Sequence, residues 1–168
     1  QYTPPSEQGS LIYPGNVGVF NWGGVSVDPV RQLLFTSPNY MAFVSKMVPR
    51  EQVAAGSQRE SETSGVQPNT GAPYAVTMHP FMSPVGVPCQ APAWGYVAAI
   101  DLFTNKVVWK GKNGTTRDST PVPIGMPVGV PSMGGSIVTA GGVGFLSGTL
   151  DQYLRAYDVN TGKELWKG

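Results

Sequence analysis

The sequence has few of the residues that most often build reactive or metal-binding sites. Among 168 residues there is one cysteine and one histidine. Cys89 alone cannot form an internal disulfide, and His79 has no Cys or His partner at the spacing of a zinc site. The Ser-His-Asp order, the phosphate-binding loop and the dinucleotide fingerprint are missing as well. The sequence therefore lacks support for hydrolase, nucleotide-binding and zinc functions.

Charge and long apolar runs are also scarce. Charged residues make up 12% of the chain and balance to +1, so no nucleic-acid-binding stripe and no polybasic membrane patch is predicted. No apolar run approaches the roughly 18 residues of a transmembrane helix, and no segment has a convincing helical period. There is no signal peptide and the first residue is Gln1. We expect both ends to have been cut from a longer chain.

Glycine and proline are abundant, with 22 and 16 residues, while 40% of the chain is hydrophobic. This composition predicts many short strands joined by tight turns and long structured loops. The expected strands are 11–13, 24–28, 32–36, 41–48, 73–79, 94–101, 106–110, 135–139, 144–148, 153–158 and 163–166. Residues 51–70 are polar and are predicted to form a mobile surface insert.

One phrase occurs twice, at 99–109 and at 156–166. Each copy reads Ala, an apolar residue, Asp, a turn containing Thr, then Lys and a closing Trp. The Asp and Thr side chains can bond the backbone of a hairpin turn. Trp109 and Trp166 then offer flat surfaces for packing against a neighbouring sheet. A repeated strand–turn–strand phrase of this kind is typical of β-propeller blades, and the last four predicted strands match one four-stranded blade.

Longer motifs follow one another along nearly the whole chain. They lie at 2–9, 13–16, 21–29, 43–50, 89–96, 133–142 and 153–158. In this order they closely resemble the C-terminal part of the membrane-bound quinoprotein dehydrogenases that act on glucose, quinate or shikimate; only residues 51–64 are generic. The resemblance implies an all-β fold: a partial eight-bladed β-propeller of about two to three blades, each an antiparallel four-stranded sheet of PQQ-enzyme repeats. Residues 1–168 would be the C-terminal part of that propeller domain.

The same resemblance implies a cofactor and a reaction. Pyrroloquinoline quinone (PQQ) would sit near the propeller axis beside Ca²⁺ or Mg²⁺, a carboxylate base would take the hydroxyl proton of a sugar or polyol, and hydride would pass to the quinone. Electrons would then go to ubiquinone. The family's catalytic Asp and main metal ligands lie upstream, so no catalytic or metal residue is expected here and the fragment alone should be inactive. An N-terminal anchor in the bacterial inner membrane and a periplasmic catalytic domain are implied too.

Six residues are candidate cofactor contacts. Met133, Gly134 and Gly135 match a position where related alcohol dehydrogenases carry Trp-Gly-Gly beside the quinone; a turn entering a strand is the alternative. Asn21 could bond a quinone or carboxylate oxygen with Trp22 beside it, although a loop Asn with a packed Trp explains them as well. Ser37 falls where glucose-oxidising relatives often place an Asn. Asn39 is close to that position but out of register.

Other polar residues have ordinary explanations. Lys46 and Arg50 could meet the acidic groups of PQQ or a carboxylate substrate, but they also suit a solvated strand end. His79, which precedes a proline, is typical of a structural loop residue.

Two further expectations concern the whole chain. A non-enzymatic propeller that serves as a binding or scaffold module is the alternative function, because blades do not specify chemistry; the loop motifs at 2–21 and 89–96 argue against it. The sequence does not separate glucose from quinate or shikimate. The chain is also expected to self-associate, since sheet faces and edges that neighbouring blades should cover would be exposed.

Overall fold

The computed structural model describes residues 3–53, 65–117 and 124–168. Within these ranges the chain forms twelve strands and one short 3₁₀ turn at Arg50–Gln52. The strands are β1 (Ser10–Ile12), β2 (Val25–Asp28), β3 (Leu33–Thr36), β4 (Phe43–Pro49), β5 (Gly65–Gln67), β6 (Tyr74–Pro80), β7 (Tyr96–Asp101), β8 (Lys106–Lys112), β9 (Ser136–Val138), β10 (Val143–Leu146), β11 (Arg155–Asp158) and β12 (Glu164–Lys167). The all-β prediction is confirmed, and each expected strand is found with its ends shifted by a few residues.

The chain divides into two compact units. The first comprises Gln1–Asn16 and Met41–Gln90, and the second comprises Val17–Tyr40 and Ala91–Gly168. Within the described residues the first unit holds one antiparallel four-stranded sheet in the order β1-β4-β6-β5. Strand β5 lies inside the range predicted to be a polar insert, so that part of the prediction is wrong. It pairs with β6 from Gly65 to Gln67; residues 54–64 of the predicted insert lie outside the described residues.

The second unit holds two antiparallel four-stranded sheets, β2-β3-β7-β8 and β9-β10-β11-β12. The hairpin of β2 and β3 forms as predicted, with Val25 opposite Thr36. Strand β3 then pairs with β7, with Leu33 opposite Asp101. The two central strands of this sheet, β3 and β7, are therefore far apart in sequence. In the other sheet, each strand pairs with the strand that precedes or follows it in the chain.

The turns of the second unit use the predicted chemistry. The Asp158 carboxylate accepts hydrogen bonds from the backbone N–H groups of Asn160 and Thr161 at 2.8 and 3.0 Å. Asp101 does the same in the first copy of the repeated phrase, at 2.9 and 2.7 Å to the residues two and three positions on. These backbone donors hold the pKa of both carboxyls below its ordinary value. Asn105 occupies the left-handed region, with φ of 56°.

The core of the second unit lies between its two sheets. It consists of Leu33, Phe35, Val97, Leu146, Tyr157 and Val159, all buried. Trp109 packs against this cluster, and its indole Nε1 donates a hydrogen bond to the Val159 carbonyl oxygen at 2.8 Å. The closing Trp of one sheet therefore docks on the turn of the next, as the repeat predicts. Trp166, its counterpart, is 52% exposed.

Candidate functional site

Five strand ends meet at one end of the second unit. Because β2 and β3 are antiparallel, the residues before β2 lie opposite those after β3. The start of β9 likewise lies opposite the end of β10, with Ser136 facing Leu146, and the bridge between Asn39 and Gly95 places the start of β7 there too. The Ser26 hydroxyl donates to the Ser136 carbonyl oxygen at 2.6 Å and so joins β2 to β9. We call this end, formed by residues 21–24, 37–39, 132–135 and 147–148, the candidate site.

Two glycine turns touch each other in the candidate site. A Cβ on Gly23 would lie 2.4 Å from the Gly135 Cα, and the Ser136 N–H points to the Gly23 carbonyl oxygen at 3.4 Å. Gly134 is equally confined, because its Cβ would lie 2.2 Å from the Ser147 carbonyl oxygen. Any side chain at these positions would push the backbones apart, so the close approach requires glycine. The structure thus brings the predicted residues Asn21, Trp22 and Met133–Gly135 together.

Two apolar side chains flank this glycine contact. Met133 is 37% exposed and Trp22 is 90% exposed. The Trp22 N–H donates to the Asn21 side-chain oxygen at 2.7 Å, and the Gly24 N–H donates to the Asn21 carbonyl at 2.8 Å. The Asn21 side-chain oxygen is therefore engaged by its own turn, which leaves its amide nitrogen as the group suited to bond a ligand oxygen.

Ser37 and Asn39 follow β3 directly and are both buried. The Asn39 side chain makes two hydrogen bonds to the backbone of Ser132, one in each direction. Sequence reasoning placed Asn39 beside the site but gave it no role. The contact that it missed is the pairing of Asn39 with Ser132. These residues are 93 positions apart, so no local sequence pattern indicates that they meet.

A buried ionic cluster lies beside the candidate site, and sequence reasoning did not single it out. The Arg155 guanidinium pairs with both carboxylate oxygens of Asp151, through Nη1 at 2.9 Å and through Nη2. The same Nη1 donates to Thr149 at 3.0 Å, and the Thr115 N–H donates to Asp151 at 2.8 Å. Burial pushes the pKa of Asp151 up, but the hydrogen bonds from Arg155 and Thr115 outweigh it and hold that pKa below its ordinary value. The pair is ionised and structural.

The remaining polar candidates lie in the first unit. The Arg50 guanidinium donates to the carbonyl oxygens of Asn69 at 2.6 Å and Ala72 at 3.1 Å, which gives it a structural task in its own sheet. Lys46 and His79 are exposed on β4 and β6. In residues 3–53, 65–117 and 124–168 no group of three or more His, Cys, Asp or Glu side chains could hold a metal ion. No helix of the described chain is long and apolar enough to cross a membrane.

Comparison with known proteins places this geometry in a family. Residues 1–168 match the model of the PQQ glucose/ethanol/alcohol dehydrogenase β-propeller domain. The chain is 51% identical over 99% of its length to the quinoprotein glucose dehydrogenase of Escherichia coli, of which it covers 22%. It is 52% identical to quinoprotein glucose dehydrogenase A of Acinetobacter calcoaceticus, covering 99% of this chain and 21% of that one. A probable quinate dehydrogenase (quinone) of Xanthomonas campestris pv. juglandis is 42% identical, with 99% of this chain and 22% of that protein covered.

A solved structure agrees on the fold. The quinohemoprotein alcohol dehydrogenase of Comamonas testosteroni superposes with a TM-score of 0.55 at 21% identity, covering 95% of this chain and 20% of that one. The chain thus spans about a fifth of the length of the curated relatives it matches. The propeller prediction is confirmed: the chain belongs to the PQQ-dependent dehydrogenase family, as a C-terminal part of its β-propeller domain.

Proposed function

We propose that the full protein is a PQQ-dependent dehydrogenase that oxidises glucose, and that the candidate site of this chain forms one wall of its cofactor pocket. The observation that carries the proposal is the contact of two glycine turns, Gly23 against Gly135, beside the half-exposed Met133. The higher identity to glucose dehydrogenases than to the quinate dehydrogenase supports glucose over quinate or shikimate.

The residues of the candidate site suit a flat, acidic heterocycle. The glycine turns pack backbone against backbone, which fixes the two loops that carry Trp22 and Met133. The thioether of Met133 is polarisable and packs well on aromatic faces. The Asn21 amide nitrogen and the Ser37 hydroxyl are donors suited to quinone or carboxylate oxygens. When bound, PQQ supplies the two-electron acceptor for alcohol oxidation. This chain's part is to bind, orient and shield that group.

The rest of the proposal rests on family resemblance. The base that accepts the substrate proton and the ligands of Ca²⁺ or Mg²⁺ would come from other parts of the full protein, so the 168-residue chain alone should be inactive. Electrons would pass to ubiquinone. The full protein would be held in the bacterial inner membrane with its catalytic domain in the periplasm.

Reconstitution of the full protein tests the proposal. Apo-protein is mixed with PQQ and with Ca²⁺ or Mg²⁺, and quinone absorbance and dye reduction are measured with glucose and quinate in parallel. We expect PQQ uptake and faster dye reduction with glucose. A protein that takes up no PQQ would sink the enzyme proposal and favour the scaffold alternative. Faster turnover of quinate would overturn the substrate assignment alone.

Replacement of Met133 tests the wall of the pocket. Met133→Ala should weaken PQQ binding by about twofold to tenfold, the range expected for a lost sulfur–aromatic contact. Leu102→Ala is the matched control. Leu102 is 36% exposed, close to the 37% of Met133, but it lies in the turn at the end of its sheet away from the candidate site. Equal affinities of the Met133→Ala variant and the wild type would contradict the assignment of Met133.

A further inference from the structure

We propose that Asn39 is a positioning residue for the cofactor site: its side chain fixes the backbone that carries Met133. The proposal rests on the proposed function, because it concerns the same pocket. Asn39 itself need not touch the cofactor. It acts through Ser132, the residue directly before Met133.

The contact between Asn39 and Ser132 is bidentate. Asn39 Nδ2 donates to the Ser132 carbonyl oxygen at 2.8 Å, and the Ser132 N–H donates to Asn39 Oδ1 at 2.9 Å. Both residues are almost fully buried, with exposures of 1% and 2%. The side-chain amide thus pairs with the Ser132 backbone as a neighbouring strand would, and Ser132 also forms an isolated bridge with Thr149.

Asn39 is well held on its own side. Its backbone N–H donates to the Val19 carbonyl oxygen at 2.7 Å, and it forms an isolated bridge with Gly95. On the far side, the Ser132 hydroxyl donates to the Ser147 carbonyl oxygen at 3.0 Å. A buried amide that follows a strand of one sheet therefore helps to hold the segment that leads into the other sheet.

The two sheets are also joined at other places. Arg31 Nη1 reaches from the β2–β3 turn to the Ala140 carbonyl oxygen at 3.1 Å, at the end away from the candidate site. Trp109 docks on the turn after β11 through Val159. Loss of the Asn39 side chain therefore leaves the sheets together and removes the two bonds that hold the Ser132 backbone, while the Met133 N–H and the Pro131 carbonyl keep their bonds to Gly148 and Leu150. Its effect should fall on the cofactor pocket more than on global stability.

The test uses the full protein with Asn39→Leu, which removes both hydrogen bonds at similar volume. Asn39→Ala is a second variant, because its smaller side chain leaves room for water should the leucine prevent folding. PQQ affinity is measured by titration of apo-protein. Partners that orient metal ligands are typically worth about 10–100-fold in metal affinity; by the same reasoning we expect a loss of about tenfold in PQQ affinity in both variants. Arg31→Gln is the control: it weakens the same pair of sheets at the other end and should bind PQQ as the wild type does.

A second readout needs no cofactor. Hydrogen exchange of apo-protein peptides covering 131–136 should become faster by about tenfold in the Asn39 variants and stay unchanged in Arg31→Gln, since local opening governs exchange. Wild-type affinity in both Asn39 variants, or an equal loss in Arg31→Gln, overturns the inference. Unchanged exchange at 131–136 does so too. A wild-type protein that takes up no PQQ overturns the proposed function and this inference with it, whereas normal uptake by all variants overturns the inference alone.

Discussion

Arg155 carries a full charge at a position of β11 where its side chain is only 2% exposed. Such a charge is tolerated because Asp151 neutralises it and because Thr149 and Glu164 accept further hydrogen bonds. Asp151 in turn bonds the Thr115 backbone, so the pair ties the segment after β8 to the turn before β11.

Asp151→Ala should therefore destabilise the full protein by about 3–5 kcal/mol, the usual result of leaving one buried charge without its partner. Urea unfolding with the wild type alongside measures the change. Glu164→Gln is the control, because Glu164 lies 3.2 Å from the same guanidinium but is 41% exposed. It should cost no more than about 1 kcal/mol. Equal losses for the two variants would contradict a buried, mutually dependent pair.

The turn carboxylates predict a dependence of stability on pH. The folded-state pKa of Asp101 and Asp158 is lowered by backbone hydrogen bonds, so their contribution is complete above the unfolded pKa of about 3.9 and is lost as the pH falls through the folded value. Asp158→Asn keeps an oxygen acceptor but cannot titrate. Unfolding followed from pH 7 to pH 2 should therefore show a shallower loss of stability below pH 4 in this variant.

Lys163→Gln serves as the control for this experiment. It changes the charge of the same turn by one unit and leaves the Asp158 carboxylate in place. Its loss of stability below pH 4 should match that of the wild type. If the Asp158→Asn protein lost stability below pH 4 as steeply as the wild type, the turn carboxylate would make no contribution to the pH dependence of stability.

At the scale of the elements, the strands were predictable and several of their partners were not. The phrases around Asp101 and Asp158 contain their turn chemistry locally, so both hairpins could be placed from sequence. The pairing of β3 with β7 joins chain segments that are separated by three of the four strands of the first-unit sheet, β4, β5 and β6. No local pattern encodes such a pairing, because it is decided by which apolar faces bury each other. Strand β5 was missed for a related reason: its three residues are held by β6 and have little strand signal of their own.

Replacement of Gly162 tests the contact between Trp109 of one sheet and the turn after β11 of the other. Its φ is 74°, and a Cβ there would lie 2.4 Å from the Trp109 ring. Gly162→Ala should cost about 2–4 kcal/mol, because backbone strain adds to overlap with the indole. Gly141→Ala is the control, since the nearest atom would be 3.8 Å from its Cβ. In chemical unfolding, the free energies of unfolding of the two variants should differ by at least about 2 kcal/mol. A Gly162→Ala protein as stable as the wild type would show that the packing of Trp109 does not require glycine at this position.

At the scale of the whole molecule, apolar side chains on the strands remain uncovered. Leu165 and Trp166 of β12 are 49% and 52% exposed, Val107 of β8 is 58% exposed and Ile137 of β9 is 69% exposed. Exposed strands of this kind are sites of pairing or packing with other chain segments. The 168-residue chain, expressed alone, should therefore self-associate. Light scattering over a range of concentrations measures this, and a monodisperse monomer throughout would contradict it.

The candidate site was predictable in its parts but not in its assembly. The motifs pointed to Asn21, Trp22 and Met133–Gly135 separately, because each is a distinctive loop sequence. Their meeting through Gly23 and Gly135 depends on how β2 and β9 pack, which appears only in the folded chain. No role could be predicted for Asn39, because the sequence does not distinguish an amide that bonds distant backbone from any other polar residue in a loop.

The clamp between Asn39 and Ser132 has a consequence for biosynthesis. Its two halves are separated by 93 positions, which a ribosome adding about 5–20 residues per second takes roughly 5–20 s to make. During that interval Asn39 has been made but has no Ser132 backbone to bond. The pocket wall is thus among the later features of the nascent chain to form, and loading of the quinone should follow translation of this region instead of accompanying it.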